Sequence, residues 1–386
     1  MSFVKKILKK IFPIVFLKKC FLWYNKIKLK TLDVLFYPHY KVPQNFVLKD
    51  NYLIPVQEYK IPFSKKLPPS VNSYFKFWET WKDREYLVQL KCTCIIEPTT
   101  GWSFVKRNKL VPESLGLGHA PHVKKPGLFD FFLRKRRTIR LSKIVSLRDT
   151  GEENYFHFYN DIISKIFFLK NANIDLSDYT FIVHERLWQK KYFQSFLNSS
   201  EYLRSLKWHV QMDEFIEAEE SIFCKPLTHR PEIFKEITSL ISMGRNEKER
   251  RIYLKRSRSR LRYIENEKEV EDVLANLGFQ VVDAALLSLE EQVLLFSSVR
   301  FLVAIHGAGL TNIIFRNGKP LTILEIFPYP ENNCLPFHYI MLAQQNNYRY
   351  NTLIGERSNR NFSGGFRVDP EKLRDEVMQI LKYDEA

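Results

Sequence analysis

Phe301 to Ile305 is a run of five apolar residues that leads straight into His306-Gly-Ala-Gly309, and it constrains the fold more than any other stretch. A short, continuous apolar run that stops at glycine is the pattern of a strand buried on both faces of a parallel sheet. Leu310 to Phe315 then has helical character, so the pattern predicts strand, glycine turn and helix in succession. Such a turn brings backbone N–H groups to one point at the positive end of a helix dipole, which suits a phosphate or pyrophosphate. Gly307 and Gly309 are expected to supply unusual dihedrals and to let a ligand approach the main chain closely.

The flanking residues extend the pattern. Ile252 to Lys255 reads as a strand that delivers Arg256 and Ser257 at its C-terminal end. Asn266 with Glu269 has the spacing of a capping box, ahead of a helical stripe of Val270, Val273, Leu274 and Leu277 that stops at Gly278. Phe279 to Val282 is another strand, and Ser288 with Glu291 caps the helix that precedes the central one. Leu321 to Leu324 is a strand carrying Glu325 at its end. Strands alternating with helices predict a parallel, right-handed α/β sheet. Arg256, His306 and Glu325 then fall at the carboxyl ends of strands, the edge where such sheets bind ligands.

A second α/β region becomes legible from Ile144, with strands at Ile144 to Leu147 and Tyr179 to Val183. Between them a helix is predicted from about Glu152 to Leu169. Its apolar stripe uses Phe158, Ile162, Ile166 and Leu169, and another face carries Asn154, His157, Asp161 and Ser164. His157 and Asp161 are one turn apart, so the pair is either a simple surface hydrogen bond or a catalytic dyad. Residues 226–246 read as a crossover, and a final helix starting at Asp369-Pro-Glu is expected to return to the first half.

Arg251-Ile-Tyr-Leu-Lys-Arg-Ser257, Asn266-Glu267, Leu287-Ser-Leu-Glu-Glu-Gln292 and His306-Gly-Ala-Gly-Leu-Thr-Asn312 stand in the order and spacing of glycosyltransferase family 61. Asn154-Tyr-Phe-His157 with Asp161 resembles the same family's Asn-Tyr-x-His-x-x-x-Asp block. The resemblance covers about residues 142–328. It implies a GT-B architecture of two facing Rossmann-like domains with a cleft between them, and an inverting transfer from a nucleotide-sugar donor, UDP-linked, to a hydroxyl of capsule, lipopolysaccharide or exopolysaccharide. Residues 31–235 would form the acceptor side and 236–386 the donor side. His157 is the expected base with Asp161 orienting it, and Asp161 itself is the alternative base. Arg256, Ser257 and the turn His306, Gly307, Ala308 and Gly309 would hold the diphosphate. Glu325 would accept hydrogen bonds from ribose hydroxyls; Asn154, Arg262 and Asn312 are further candidates, Asn312 either as a local cap or as a donor contact. The chain has no Asp-x-Asp, so the usual carboxylate pair for a diphosphate-bound metal is missing, and neither metal nor other cofactor is expected.

Composition bears on where such a protein works. At 386 residues, with 45 % apolar side chains, the chain suits two domains with substantial cores. Five scattered cysteines argue for reduced thiols in a cytosolic protein, and Cys92-Thr-Cys94 lies in an alternating run, Tyr86 to Ile96, that reads as one strand. The net charge of +17 is uneven: the first thirty residues hold nine lysines and no acid, interleaved with bulky apolar residues. The apolar run Ile11 to Leu17 is too short to span a bilayer. Residues 1–30 are therefore expected to lie on an anionic membrane surface, on its cytoplasmic side. A first helix with a solvated lysine face is the plainer alternative. The arginine-rich stretch 245–262 comes with no nucleic-acid-binding motif, so no nucleic-acid partner is expected. His119 and His122, three apart among glycines and prolines, read as loop histidines, not as metal ligands. The partners expected are a nucleotide sugar, a glycan or lipid-linked glycan acceptor and the membrane surface. The competing class is a non-catalytic, membrane-associated sugar-binding or scaffold protein that has kept the fold.

Overall fold

The computed structural model describes residues 38–55, 73–75, 82–106, 108–116, 137–241, 248–256, 261–330, 334–356 and 364–382. Ser257, His119, His122 and the basic segment 1–30 lie outside these residues. The described residues are mixed α/β with two sheets.

The second sheet follows the pattern of its sequence. Its strands are β10 (Arg250–Leu254), β11 (Gln280–Val282), β12 (Val299–Ile305), β13 (Thr322–Phe327) and β14 (Arg349–Ile354), where β1 to β9 belong to the first sheet. They lie in the order β11-β10-β12-β13-β14, and every neighbouring pair is parallel. Counted within the sheet this is the order 2-1-3-4-5, which changes direction between β10 and β12 and opens a crevice at their carboxyl ends. The apolar run of β12 is continuous because both faces are covered. Leu302 and Ala304 join a core with Ile252 and Ile323, while Phe301, Val303 and Ile305 join Tyr253, Leu324 and Ile326 in another.

Two expectations change here. The final helix, Pro370–Lys382, does not return to the first half: Leu373, Val377 and Ile380 sit on the outer face of the second sheet beside Val270 and Leu274 of the helix Glu267–Asn276. Asn266 is not a capping box, since its amide instead clamps the strand-like segment at Val368, donating to the carbonyl at 2.8 Å and accepting the N–H at 3.1 Å. Ser288 and Glu291 do form one. The run after the glycine turn is helical as expected, wound as the 3-10 helix Ala308–Arg316. Winding at three residues per turn stacks Leu310 over Ile313, both fully buried.

The first sheet has nine strands among the described residues. Its parallel part is β9 (Phe215–Lys225), β6 (Thr138–Ser146), β7 (Thr180–His184) and β8 (Lys207–Gln211), in that order. The other edge of β9 takes two antiparallel partners, β2 (Lys82–Leu90) along its second half and β3 (Cys94–Ile96) along its first. The expected single strand Tyr86 to Ile96 is thus two, broken at 91–93. β2 pairs with β1 (Val47–Pro55), and β3 continues through β4 (Ser103–Val105) to β5 (Lys109–Leu110). Cys92 and Cys94 are free thiols against one small core, and burial pushes the Cys94 thiol up to about 12.

α1 is the long helix Tyr155–Asn171. It starts as an α turn, widens into a π turn over Phe158–Ile163 and resumes as α from Ser164. Phe158, Ile162, Ile166 and Leu169 are all fully buried, as their spacing requires. The core they enter is shared with the second sheet. The Tyr159 ring packs edge-on to Phe315 at 5.9 Å, and Phe75 lies 6.4 Å from Phe327.

Candidate active site

The loop before α1 is held from below by Arg148, which is fully buried. Its guanidinium pairs with Glu152 at 3.2 Å, reaches the Pro98 carbonyl at 2.9 Å and also bonds Gln211. Asn154 then caps α1, its side-chain oxygen accepting the Phe156 N–H at 2.9 Å. One turn in, His157 Nδ1 meets Asp161 Oδ2 at 2.7 Å. The other carboxylate oxygen of Asp161 accepts from Asn160 Nδ2 at 2.9 Å, and Asn160 Oδ1 in turn accepts the His229 N–H at 2.9 Å. Asp161 is thus aimed at the imidazole from behind, and the π turn carries both residues of that relay. Burial opposes the charge on His157, but the hydrogen bond to Asp161 and the charges of Asp161, Asp149 and Glu153 outweigh it, and its pKa is raised. For Asp161 burial is likewise outweighed by His157, and its pKa is lowered. The imidazole is 24 % exposed, enough to present Nε2 to a ligand.

On the second sheet the two strands flanking the change of direction converge. Arg256, just past β10, donates from Nη1 to the carbonyl of His306, just past β12, at 2.7 Å. The glycine at 307 exists for this contact. A Cβ there would lie 1.8 Å from Arg256 Nη1, whereas its φ of 163° is ordinary extended backbone. Gly309 is similar, with a Cβ 3.2 Å from Leu254 Cδ2. Close approach, not unusual dihedrals, therefore explains both glycines. The first amide to close the turn is Leu310, on the Gly307 carbonyl at 2.9 Å, so those of Ala308 and Gly309 come ahead of it.

Glu325 does not have the surroundings expected of a ribose-binding carboxylate. It is fully buried, with Oε1 on His306 Nδ1 at 2.5 Å and Oε2 accepting the Tyr350 hydroxyl. Burial pushes its pKa up to about 8, against the opposing Tyr350 hydrogen bond and the charge of Arg262. Burial and then the nearby Arg262 and Arg256 hold His306 well below the ordinary imidazole value. Asn312 is a joint between the halves: its oxygen accepts from Tyr155 of α1 at 2.7 Å, and its amide donates to Gln292 and to the Gly309 carbonyl. These bonds give Asn312 a local structural role of its own.

The two groups of residues meet. Phe156, beside His157, packs against His338 at 4.6 Å and Tyr339 at 5.8 Å, and Tyr339 lies edge-on to His306 at 5.6 Å. His338 is only partly buried, and burial with the charge of His157 lowers its pKa to about 3. His338, Tyr339 and Tyr350 were invisible in the sequence because none stands in a motif. Only the alternation of Tyr350 and Thr352 on β14 hints that Tyr350 faces inward. Among the described residues no group of three or more His, Cys, Asp or Glu side chains is placed to hold a metal ion, and no helix is long and apolar enough to cross a membrane.

No curated protein matches the chain. A family model described as Glycosyltransferase 61 matches residues 155–323. That segment begins with α1, which carries His157 and Asp161, takes in Arg256 and the His306–Gly309 turn, and ends inside β13, two residues short of Glu325. This match, over somewhat less than half of the chain and over the same residues that build the site, supports assignment to glycosyltransferase family 61.

Proposed function

We propose that this glycosyltransferase moves a sugar, with inversion, from a UDP-linked donor to a hydroxyl of a growing surface glycan. The observation that supports this best is the pair of carboxylate-backed imidazoles, His157–Asp161 and His306–Glu325, one from each half and joined through Phe156 and Tyr339. In this reading the two sheets are the halves of a GT-B enzyme, with residues 31–235 on the acceptor side and 236–386 on the donor side.

His157 Nε2 takes the proton of the acceptor hydroxyl while Asp161 stabilises the imidazolium that forms. The acceptor oxygen attacks the anomeric carbon from the face opposite the diphosphate. The bond from that carbon to the diphosphate oxygen breaks, and the electron pair leaves with the diphosphate. Arg256 and the amides of Ala308 and Gly309 balance the developing charge, so Lewis-acid help from a metal is not required. Transfer is expected to persist in excess chelator. Activity that vanishes with chelator and returns with manganese would overturn that part of the mechanism.

Calorimetric titration with a panel of nucleotide sugars and their free nucleotides tests the donor assignment. Binding of none of them would favour the non-catalytic scaffold reading. The basic, apolar segment 1–30 supports attachment to an anionic membrane, where a lipid-linked acceptor would be found. Deleting it is expected to abolish co-sedimentation with anionic vesicles at physiological salt while leaving the thermal transition intact. Retained co-sedimentation would place the anchor elsewhere.

A further inference from the structure

We propose that Glu325 is a positioning residue that holds one proton against His306, so that, for as long as that proton is held, His306 Nε2 presents N–H to the leaving diphosphate. This rests on the donor-site reading above and assigns Glu325 a task within it.

The geometry carries the argument. Glu325 has no exposed surface, and its nearest hydrogen-bond partners are the His306 ring and a buried tyrosine hydroxyl. Burying a carboxylate without a bonded cation is costly, and the neutral acid removes that cost. Tyr350 can satisfy Oε2 by donating, which leaves Oε1 with the 2.5 Å contact to Nδ1. A neutral Glu325 must donate there. Nδ1 is then the acceptor, and the ring proton sits on Nε2. If the proton crosses to Nδ1, the pair becomes carboxylate and imidazolium, and Nε2 still carries hydrogen. Both arrangements contain the same number of protons, so Nε2–H is a property of the pair. Loss of that one proton changes the outcome. The carboxylate then accepts from Nδ1–H, and a bare Nε2 faces the phosphate with a lone pair.

The charged and titratable groups facing the pair are consistent with this. Arg262 and Arg256 approach from the second-sheet loop, Tyr350 from β14, and Tyr339 and His338 from the helix His338–Gln345, the last held neutral chiefly by burial. On β14 the neighbouring Asn351 points to the other face, where it bonds Glu376 at 2.9 Å. The two arginines attract the diphosphate and the His306 N–H completes a neutral contact to it. The pKa of Glu325, pushed up to about 8, sets where the proton is lost.

The first test needs no ligand. Nitrogen-15 NMR of the imidazoles, with His306→Asn identifying the signal, should show Nε2 protonated at pH 7. It should also show the shift to the Nδ1–H form as pH rises through about 8. A neutral Nδ1–H tautomer at pH 7 overturns the proposal. The second test is calorimetric titration with UDP. Wild-type affinity should fall by about tenfold between pH 7 and pH 9, as expected for loss of one proton at that pKa. Glu325→Gln cannot lose the proton, so its affinity should be nearly flat over the same range. Comparing the two at each pH cancels the titration of UDP itself. An alkaline loss of the same size in Glu325→Gln sinks the inference. Wild type that binds no nucleotide at any pH sinks the donor-site reading instead, and the NMR result separates the two failures.

Discussion

His157→Ala is expected to lose 10²–10⁴-fold in turnover, the usual range for removing a general base, while nucleotide binding stays nearly normal. The separation follows from the fold: His157 stands on α1 and the donor residues on the edge of the second sheet. Asp161→Asn keeps the shape but loses the carboxylate that fixes the tautomer. It should cost less than His157→Ala if Asp161 orients, and as much or more if Asp161 is itself the base. Single-turnover rates at saturating donor measure both. Near-native turnover in His157→Ala together with a dead Asp161→Asn would transfer the base to the carboxylate. The base must be neutral to act, and its pKa is raised by Asp161. Turnover should therefore climb with pH through a value above the ordinary imidazole one. The Asp161→Asn enzyme, where that support is gone, should climb at lower pH.

Arg256→Ala should weaken nucleotide binding by about 1.5–3 kcal/mol, the scale of a charged hydrogen bond, or about ten- to a hundred-fold in Kd. Arg256→Lys should recover only part, because an ammonium cannot hold the His306 carbonyl and a phosphate with one planar fork. Gly307→Ala is the informative companion. The new methyl would occupy the place of the guanidinium, 1.8 Å from Nη1, so it should reproduce much of the Arg256→Ala loss without removing any charge. Calorimetric Kd values for UDP decide. Wild-type affinity in both Arg256 variants would put the arginine outside the site.

Much of this site was legible before any coordinates because its residues sit at points where local rules are strict. A buried parallel strand has to be apolar throughout, and Phe301 to Ile305 is. The capping box of Ser288 and Glu291 is a four-residue device and formed as read. His157 and Asp161 are one turn apart and do bond. The misreadings arose where long-range packing decides. Asn266 has the sequence of a cap, but Val368, 102 residues away, claims its amide. Glu325 looks like an open strand-end acid until β14 closes over it with Tyr350. Gly307 looks like a dihedral requirement, and only the position of Arg256 reveals that space was at stake. The last helix returned to its own sheet because the apolar stripe of Leu373, Val377 and Ile380 fits the face that Tyr253 and Leu324 leave open. No local pattern encodes that choice.

One core serves both sheets. α1 reaches the second half through Tyr155 on Asn312, Tyr159 on Phe315 and Phe156 on Tyr339, and Leu335 returns a backbone hydrogen bond to Tyr74 at 3.1 Å. Cutting the chain between the halves would strip each piece of apolar surface that the other covers. The two halves, acceptor side and donor side in the proposed function, thus depend on each other to fold. A substitution that loosens one side's packing is felt as lost chemistry on the other, with no change to any residue that touches substrate.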